Sequence, residues 1–486
     1  MVRIEELKSR VREAGGPELL ERLEWLDAER VRPPVEAPFV RAPERGTRPD
    51  FDVVLAGGGL SLLFAPVLAD LGLKVGVFER GRAAVVHREW NISGSELGPL
   101  TASGLFRPQE VESLIVARYE HGVCRWHGGR EYPVRGALDH ALDAGRLLAE
   151  VRRRAEHRGV SFHEQHTLTG LAEGPEAVRL HFERGEGGRA EVTARLVLDA
   201  RGVSSPYATA DLLCPTVGGV LSGLREGTAP DELNPRVGDI LVTTEGVEEG
   251  RQHIWEGFPG RPGEATVYLF YYAPAREVRG EHALLRLYGR FFERLGRYKR
   301  GEPRLLRPTF GYIPGWSRLV PPPRAPGRRV VLVGDAAARH SPLTYCGFGA
   351  MVRSFLPGAR AIAAALQDGG VPTGPVVHDT PLHAVTGLLA FFMALPSREP
   401  TRRGEVNELL DTAFAALHDM GNETYAALIK DQMRGTDFVR FLHLIARRRP
   451  RVYRDVLTVA GFGPRALVRW LEGLSRAVLQ LPASDT

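Results

Sequence analysis

Two places in this 486-residue sequence gather residue types that hold a nucleotide by its phosphates and sugars. The first is Gly57-Gly58-Gly59, which follows the apolar run FDVVLA and precedes LLFAPVLADLG. Glycines between a strand and a helix let backbone N–H groups and the helix N-terminus come close to a pyrophosphate. Glu79, with Arg80 beside it, closes a second apolar run about twenty residues on, where a carboxylate accepts ribose hydroxyls. The G-x-G-x-x-G pattern is incomplete: Leu60 follows the cluster and Leu62 holds the third glycine position. A helix opened this way is expected to sit further from its strand. The second place is Gly334-Asp335-Ala336-Ala337, which ends the apolar run RRVVLV. Pro342 stands seven residues past the aspartate, and Gly347-Phe348-Gly349 opens a helix. In two-part FAD sites, a strand-end aspartate of this kind binds the ribityl hydroxyls. The helix N-terminus behind it faces the pyrimidine edge of an isoalloxazine, where negative charge gathers on reduction. Two such halves, in this order, predict FAD as the cofactor.

Holding the halves together takes an α/β framework (α+β overall): a Rossmann-like FAD-binding domain, an inserted antiparallel β-sheet substrate domain and a helical C-terminal region. Residues 1–50 read as a leader of two short amphipathic helices, broken at Gly15-Gly16-Pro17, and a tether containing Pro33, Pro34, Pro38 and Pro43. Its expected role is packing or tethering. Residues 51–206 and 326–366 form the discontinuous FAD-binding domain. Within it, an Arg-rich helix is predicted over 138–158 and strands over 160–171, 176–184 and 190–199, the last turning through LDARGVSSP (Leu198 to Pro206), a strand end and turn expected near the cofactor. Arg146 on that helix either reaches the diphosphate or is a solvated helix arginine. Residues 207–325 carry β-type runs (GDILVTT, RQHIWEGF, ATVYLFYY) and one helix near 281–297. Residues 367–486 read as helical.

Composition narrows the classes. Charged residues are 25% of the chain, the hydrophobic set 43%, and the net charge +5, with basic residues scattered along the chain. That distribution argues against nucleic acid as a partner. Cys124, Cys214 and Cys346 are isolated and lack ligand spacing, so neither a metal site nor a disulfide framework is expected. The charged start MVRIEELKSR lacks the apolar core of a secretory signal, and no run reaches the ~18 apolar residues of a spanning helix. A cytoplasmic protein follows. GLLAFFMAL and the basic amphipathic FVRFLHLIARRRPRVYR leave two readings open: peripheral association with the inner membrane surface, or helix packing with a charged rim.

GDAA with its proline resembles flavoproteins of the p-hydroxybenzoate hydroxylase and geranylgeranyl reductase type. Within that group, REWNIS (Arg88 to Ser93), IWEGFP (Ile254 to Pro259) and RHSPLTYCGFGAMVRS (Arg339 to Ser354) are similar to the Cru-type lycopene cyclases of photosynthetic bacteria and their cyclase-like paralogues. Leu60 and the weakened third glycine fit the same group, and the resemblance spans roughly 51–360. The glycines after Pro342 come five and seven residues on, rather than the superfamily's three and five, which implies a reshaped flavin front. The resemblance implies FAD, with NAD(P)H as reductant, beside a carotenoid substrate. The reaction it implies is cyclisation of ψ ends without net redox change. Flavin redox chemistry on a polyprenyl or aromatic substrate, and a non-catalytic flavin-binding paralogue, use the same cofactor motifs and stay open.

Cyclisation needs a general acid with a raised pKa in a dry slot. Glu256, between Trp255 and Phe258, is the first candidate, and Glu89, beside Trp90, the second. Alternation along ATVYLFYYAP puts Tyr268, Phe270 and Tyr272 on one face, suited either to stacking a polyene or cation or to plain core packing.

Overall fold

FDVVLA forms the strand Phe51–Ala56, buried along nearly its whole length, as a strand covered on both faces must be. A computed structural model describes residues 4–31, 39–41, 48–86, 90–208, 210–278, 282–321, 327–374, 376–377, 379–394, 404–452 and 463–481. Phe51–Ala56 lies in an eight-stranded sheet whose path runs Phe39–Arg41, His166–Glu173, Val178–Arg184, Arg189–Asp199, Phe51–Ala56, Val75–Glu79, Ser161–Glu164. The eighth strand, Val330–Leu332, lies along the end of Arg189–Asp199. Asp199 is in register with Ala56 on one side and Leu332 on the other. This pairing brings the glycine turn at 57 and the GDAA turn at 334 to adjacent strand ends.

Two local expectations shift. The Arg-rich helix begins at Ala144 rather than near 138, because the Asp143 carboxylate caps it by accepting from the Arg146 N–H at 2.9 Å. Residues His140–Leu142 instead pair with Trp90–Ile92 and Ile115–Arg118 in a small sheet. The strand expected over 160–171 divides at Gln165, whose φ is 57°. Before it, Ser161–Glu164 runs parallel to Val75–Glu79, and after it His166–Glu173 runs antiparallel to Val178–Arg184.

The second sheet orders Ala273–Pro274, Leu212–Leu224, Glu264–Phe270, Ile254–Pro259, Val237–Val242, His121–Arg125 and Glu131–Val134, with Gly301–Gly315 along Leu212–Leu224. Its last two strands in that path come from inside the 51–206 span, because His121–Arg125 pairs in parallel with Val237–Val242. Alternation holds along ATVYLFYY: Val267, Leu269 and Tyr271 enter one core, whereas Phe270 and Tyr272 enter another.

The leader is part of the fold. Its helix, Ile4–Val31, breaks at Gly16 (φ 81°) and buries Leu7, Val11, Leu20 and Leu23 against Leu284, Tyr288 and Phe291 of the helix Ala283–Tyr298. Asp27 completes the contact, since its buried carboxylate accepts from the Leu284 and Leu285 N–H groups, each at 3.3 Å, and from the Tyr312 hydroxyl.

The C-terminal helices include Leu382–Ala394, Glu405–Met420, Asn422–Ile429, Gly435–Arg448 and Pro464–Val478. Phe438, Phe441 and Ile445 of the basic stretch are buried in their common core. Arg448 and Arg449 pair with Asp419 and Glu408. Packing therefore takes up the apolar face of that helix. No described helix is long and apolar enough to cross a membrane.

Candidate functional site

A cavity of about 870 Å³ opens where the two sheets meet, within the ~300–1,000 Å³ usual for ligand pockets. Gly59, Leu60, Ser61 and Arg80 line one wall, Gly334, Asp335, Gly347 and Phe348 another, and Glu256, Phe258 and Tyr268 of the second sheet a third. Both halves read from the sequence thus reach one cavity.

The glycines differ in what they do. Among the described residues a Cβ on Gly59 would meet no atom within 4 Å, so this residue faces open space that a ligand can fill. Gly57 has φ 118°, and its Cβ would fall 2.6 Å from the Ala200 carbonyl oxygen. Gly58 has its Cβ direction blocked by Ala83. These two shape the turn and do not line the cavity. Leu62 is buried in the core on a 3₁₀ turn, Leu60–Leu63, that precedes the helix Phe64–Asp70. The missing third glycine is accommodated by this tighter first turn. Glu79 accepts from the Gly58 and Gly81 N–H groups at 2.8 and 2.9 Å and so fastens the turn. A carboxylate oxygen keeps a second lone pair for a hydroxyl.

At the other half, Trp90 packs on Phe348 with ring centroids 4.8 Å apart. Gly349 does not line the cavity: a Cβ there would lie 2.6 Å from the buried Glu96 carboxylate, which also pairs with Arg353. Pro342 packs against Gly315 outside the cavity. Arg146 donates to the Ser113 carbonyl at 2.8 Å and is not among the residues lining this cavity. Glu89 lies outside the described residues, as does Arg88.

Glu256 sits on the strand Ile254–Pro259, directly opposite Tyr268. Burial pushes its pKa up to about 8, and no neighbouring charge or donor offsets that effect among the described residues. At neutral pH the carboxyl is protonated, the state a general acid requires.

Several contributors carried no local sequence signal. Arg22, Trp25 and Leu26 of the leader line the cavity. The Arg80 guanidinium lies 4.9 Å from the centre of the Trp25 ring, and that of Arg22 lies 5.0 Å from the centre of the Phe310 ring. The leader is therefore a wall of the site. The LDARGVSSP turn, by contrast, was legible in the sequence: Arg201 to Ser204 line the cavity, held by the fully buried Asp199, which pairs with Arg201 at 2.8 Å and accepts from Ser205 at 2.7 Å.

Arg339 and His340 line the cavity next to a buried charge cluster. Asp379 pairs with Arg318, Arg339 and His383, and His383 also meets Asp431 at 2.6 Å. Burial opposes the charge on His383, but Asp431 and Asp379 outweigh it and hold its pKa at about 8. Burial acts against Asp379 as well, yet His383 and the two guanidinium groups keep its carboxyl far below the usual range. Asp431 also accepts from the Ser341 N–H, which anchors the loop before Gly347. Asp379→Asn is expected to destabilise the protein by about 3–5 kcal/mol, the cost of leaving buried cations uncompensated. Thermal unfolding checks this; an unchanged Tm would mean that water screens the cluster.

The fold has solved counterparts. A geranylgeranyl bacteriochlorophyll reductase-like protein from Thermoplasma acidophilum superposes with a TM-score of 0.52 at 16% identity, over 84% of this chain and 99% of its own. The p-nitrophenol 4-monooxygenase PnpA from Pseudomonas putida gives 0.54 at 16%, over 79% and 98%. Halogenase PltM, solved in complex with phloroglucinol and FAD, gives 0.55 at 14%, over 88% and 96%. This chain shares their fold. No protein-family profile matches the sequence, and no curated protein does.

Proposed function

We propose that this chain is an FAD-dependent enzyme of the lycopene cyclase type, closing the ψ ends of an acyclic carotene without net redox change. The observation that carries the reading is Glu256, a carboxyl kept protonated by burial in the same cavity as Gly59, Asp335 and Gly347. The residues fit the cofactor. Gly59 leaves room for a pyrophosphate, Asp335 would offer acceptors to ribityl hydroxyls, and Gly347 and Phe348, at a helix start, would hold the flavin. When bound in reduced form, FAD supplies negative charge beside a developing carbocation.

The protein's own part is acid–base work. Glu256 donates its proton to the terminal double bond of the chain, and the cation so formed is attacked by a second double bond to close the ring. The Glu256 carboxylate is then available to take the proton that the ring loses, which restores the starting state. Phe258 and Tyr268 line the wall with Glu256 and exclude the water that would trap the cation.

NAD(P)H is the proposed electron source. The proposed contact with a membrane surface would use the helix Pro464–Val478, where Leu467, Val468 and Leu471 are exposed, because the apolar face of the basic helix before it is packed. The redox alternative draws support from the fold shared with a reductase-like protein and a monooxygenase. Carotene profiles of a lycopene-accumulating host expressing the gene separate the readings. Products with new rings and unchanged mass are expected. Products differing by hydrogen or oxygen would establish the redox alternative instead.

A further inference from the structure

Behind the loop 341–346 lies a second chamber of about 340 Å³. Ile254 of the second sheet and Tyr272, in the link between its strands Glu264–Phe270 and Ala273–Pro274, line one side, and Phe392, Phe414 and Phe441 of the C-terminal helices line the other walls. The lining is almost wholly carbon, so the chamber excludes ions and polar groups, which would lose their hydration without recompense.

Its position gives it a use. Thr344 lines both this chamber and the larger cavity, so the loop is a thin partition between them. The Thr344 hydroxyl and the neighbouring Tyr345 hydroxyl are buried there without hydrogen-bond partners among the described residues. Ile254 and Glu256 lie on the same face of one strand, two residues apart, a spacing of about 7 Å. The chamber therefore begins one side chain away from the acid. At its far end, Leu467 lines the chamber and is also 39% exposed, so the space approaches solvent beneath the helix Pro464–Val478.

We propose that this chamber binds the hydrocarbon tail of the substrate. A linear chain enters beneath Pro464–Val478, passes the loop 341–346 and presents its end to Glu256. The choice of reacting end rests on the acid–base reading of the first cavity, whereas the tail site stands on its own lining.

The test uses the flavin-loaded full chain and parinaric acid, a linear conjugated polyene that accepts energy from tryptophan. Trp126 and Trp470 both line the chamber, so occupancy contributes saturable quenching of tryptophan emission, which the chamber-filling variants assign to this site. Ala413→Phe projects a ring into the chamber and is expected to weaken binding at least tenfold with flavin content unchanged. Leu389→Phe, from the opposite helix, makes the same comparison if the first variant does not hold flavin. Glu256→Gln is expected to leave parinaric acid affinity intact. Loss of cyclisation together with retained binding therefore separates a failed acid from a failed tail site. Quenching that does not saturate, or equal affinity in the filled variants, overturns the proposal.

Discussion

Glu256→Gln is expected to lower turnover by about two to four orders of magnitude, the span that general acid catalysis contributes, while the protein stays folded and yellow. Gln keeps the shape of Glu but has no acidic proton. No donor or charge among the described residues stabilises the Glu256 carboxylate, so the substitution breaks no ion pair. Two pH effects accompany it. Wild-type turnover should fall as pH rises through about 8, where the acid form is lost. Stability should fall in the same direction. The folded chain holds this proton more tightly than the unfolded chain, whose carboxyl titrates near 4.5. The stabilisation is therefore complete below pH 4.5 and disappears as pH climbs through 8. The Gln variant should lose this slope from its denaturant midpoints. A Gln variant with near-normal turnover under anaerobic conditions with chemically reduced flavin would remove Glu256 from the mechanism.

Gly59→Val is expected to abolish flavin retention without unfolding the chain. No atom of the described residues lies within 4 Å of where a Cβ would stand, and φ at Gly59 is −86°, so the side chain brings no left-handed strain. The isopropyl group instead fills the space where the backbone must approach a pyrophosphate. Asp335→Ala should give a weaker form of the same result, since it removes acceptors and leaves the cradle open. Gly57→Val is the contrast. There φ is 118° and the Ala200 oxygen lies 2.6 Å from the new Cβ, so the chain itself should be destabilised. The flavin-to-protein absorbance ratio after gel filtration, set beside Tm, distinguishes the three. Full flavin occupancy in both Gly59→Val and Asp335→Ala would remove the pyrophosphate and ribityl assignments together.

Much of the cofactor half was legible in the residues, because turns and buried strands are local. FDVVLA followed by glycines, and RRVVLV followed by GDAA, each state a strand and its turn within a dozen residues. The raised pKa of Glu256 was legible for a similar reason: its strand neighbours Trp255 and Phe258 are buried, and alternation set its face. Contacts between distant segments were not legible. That the leader places Trp25 against Arg80, or that His121–Arg125 joins the sheet of the insert, depends on pairings over long separations that no local periodicity encodes. The same holds for the close approach of Gly349 to the buried Glu96 carboxylate. Arg146 needed the true start of its helix, fixed by the Asp143 cap, before its direction toward Ser113 could be known. The apolar chamber is the extreme case. Its lining comes from residues between Trp126 and Trp470, each an ordinary core residue by type, and packing of the helices against the sheet alone leaves the space between them.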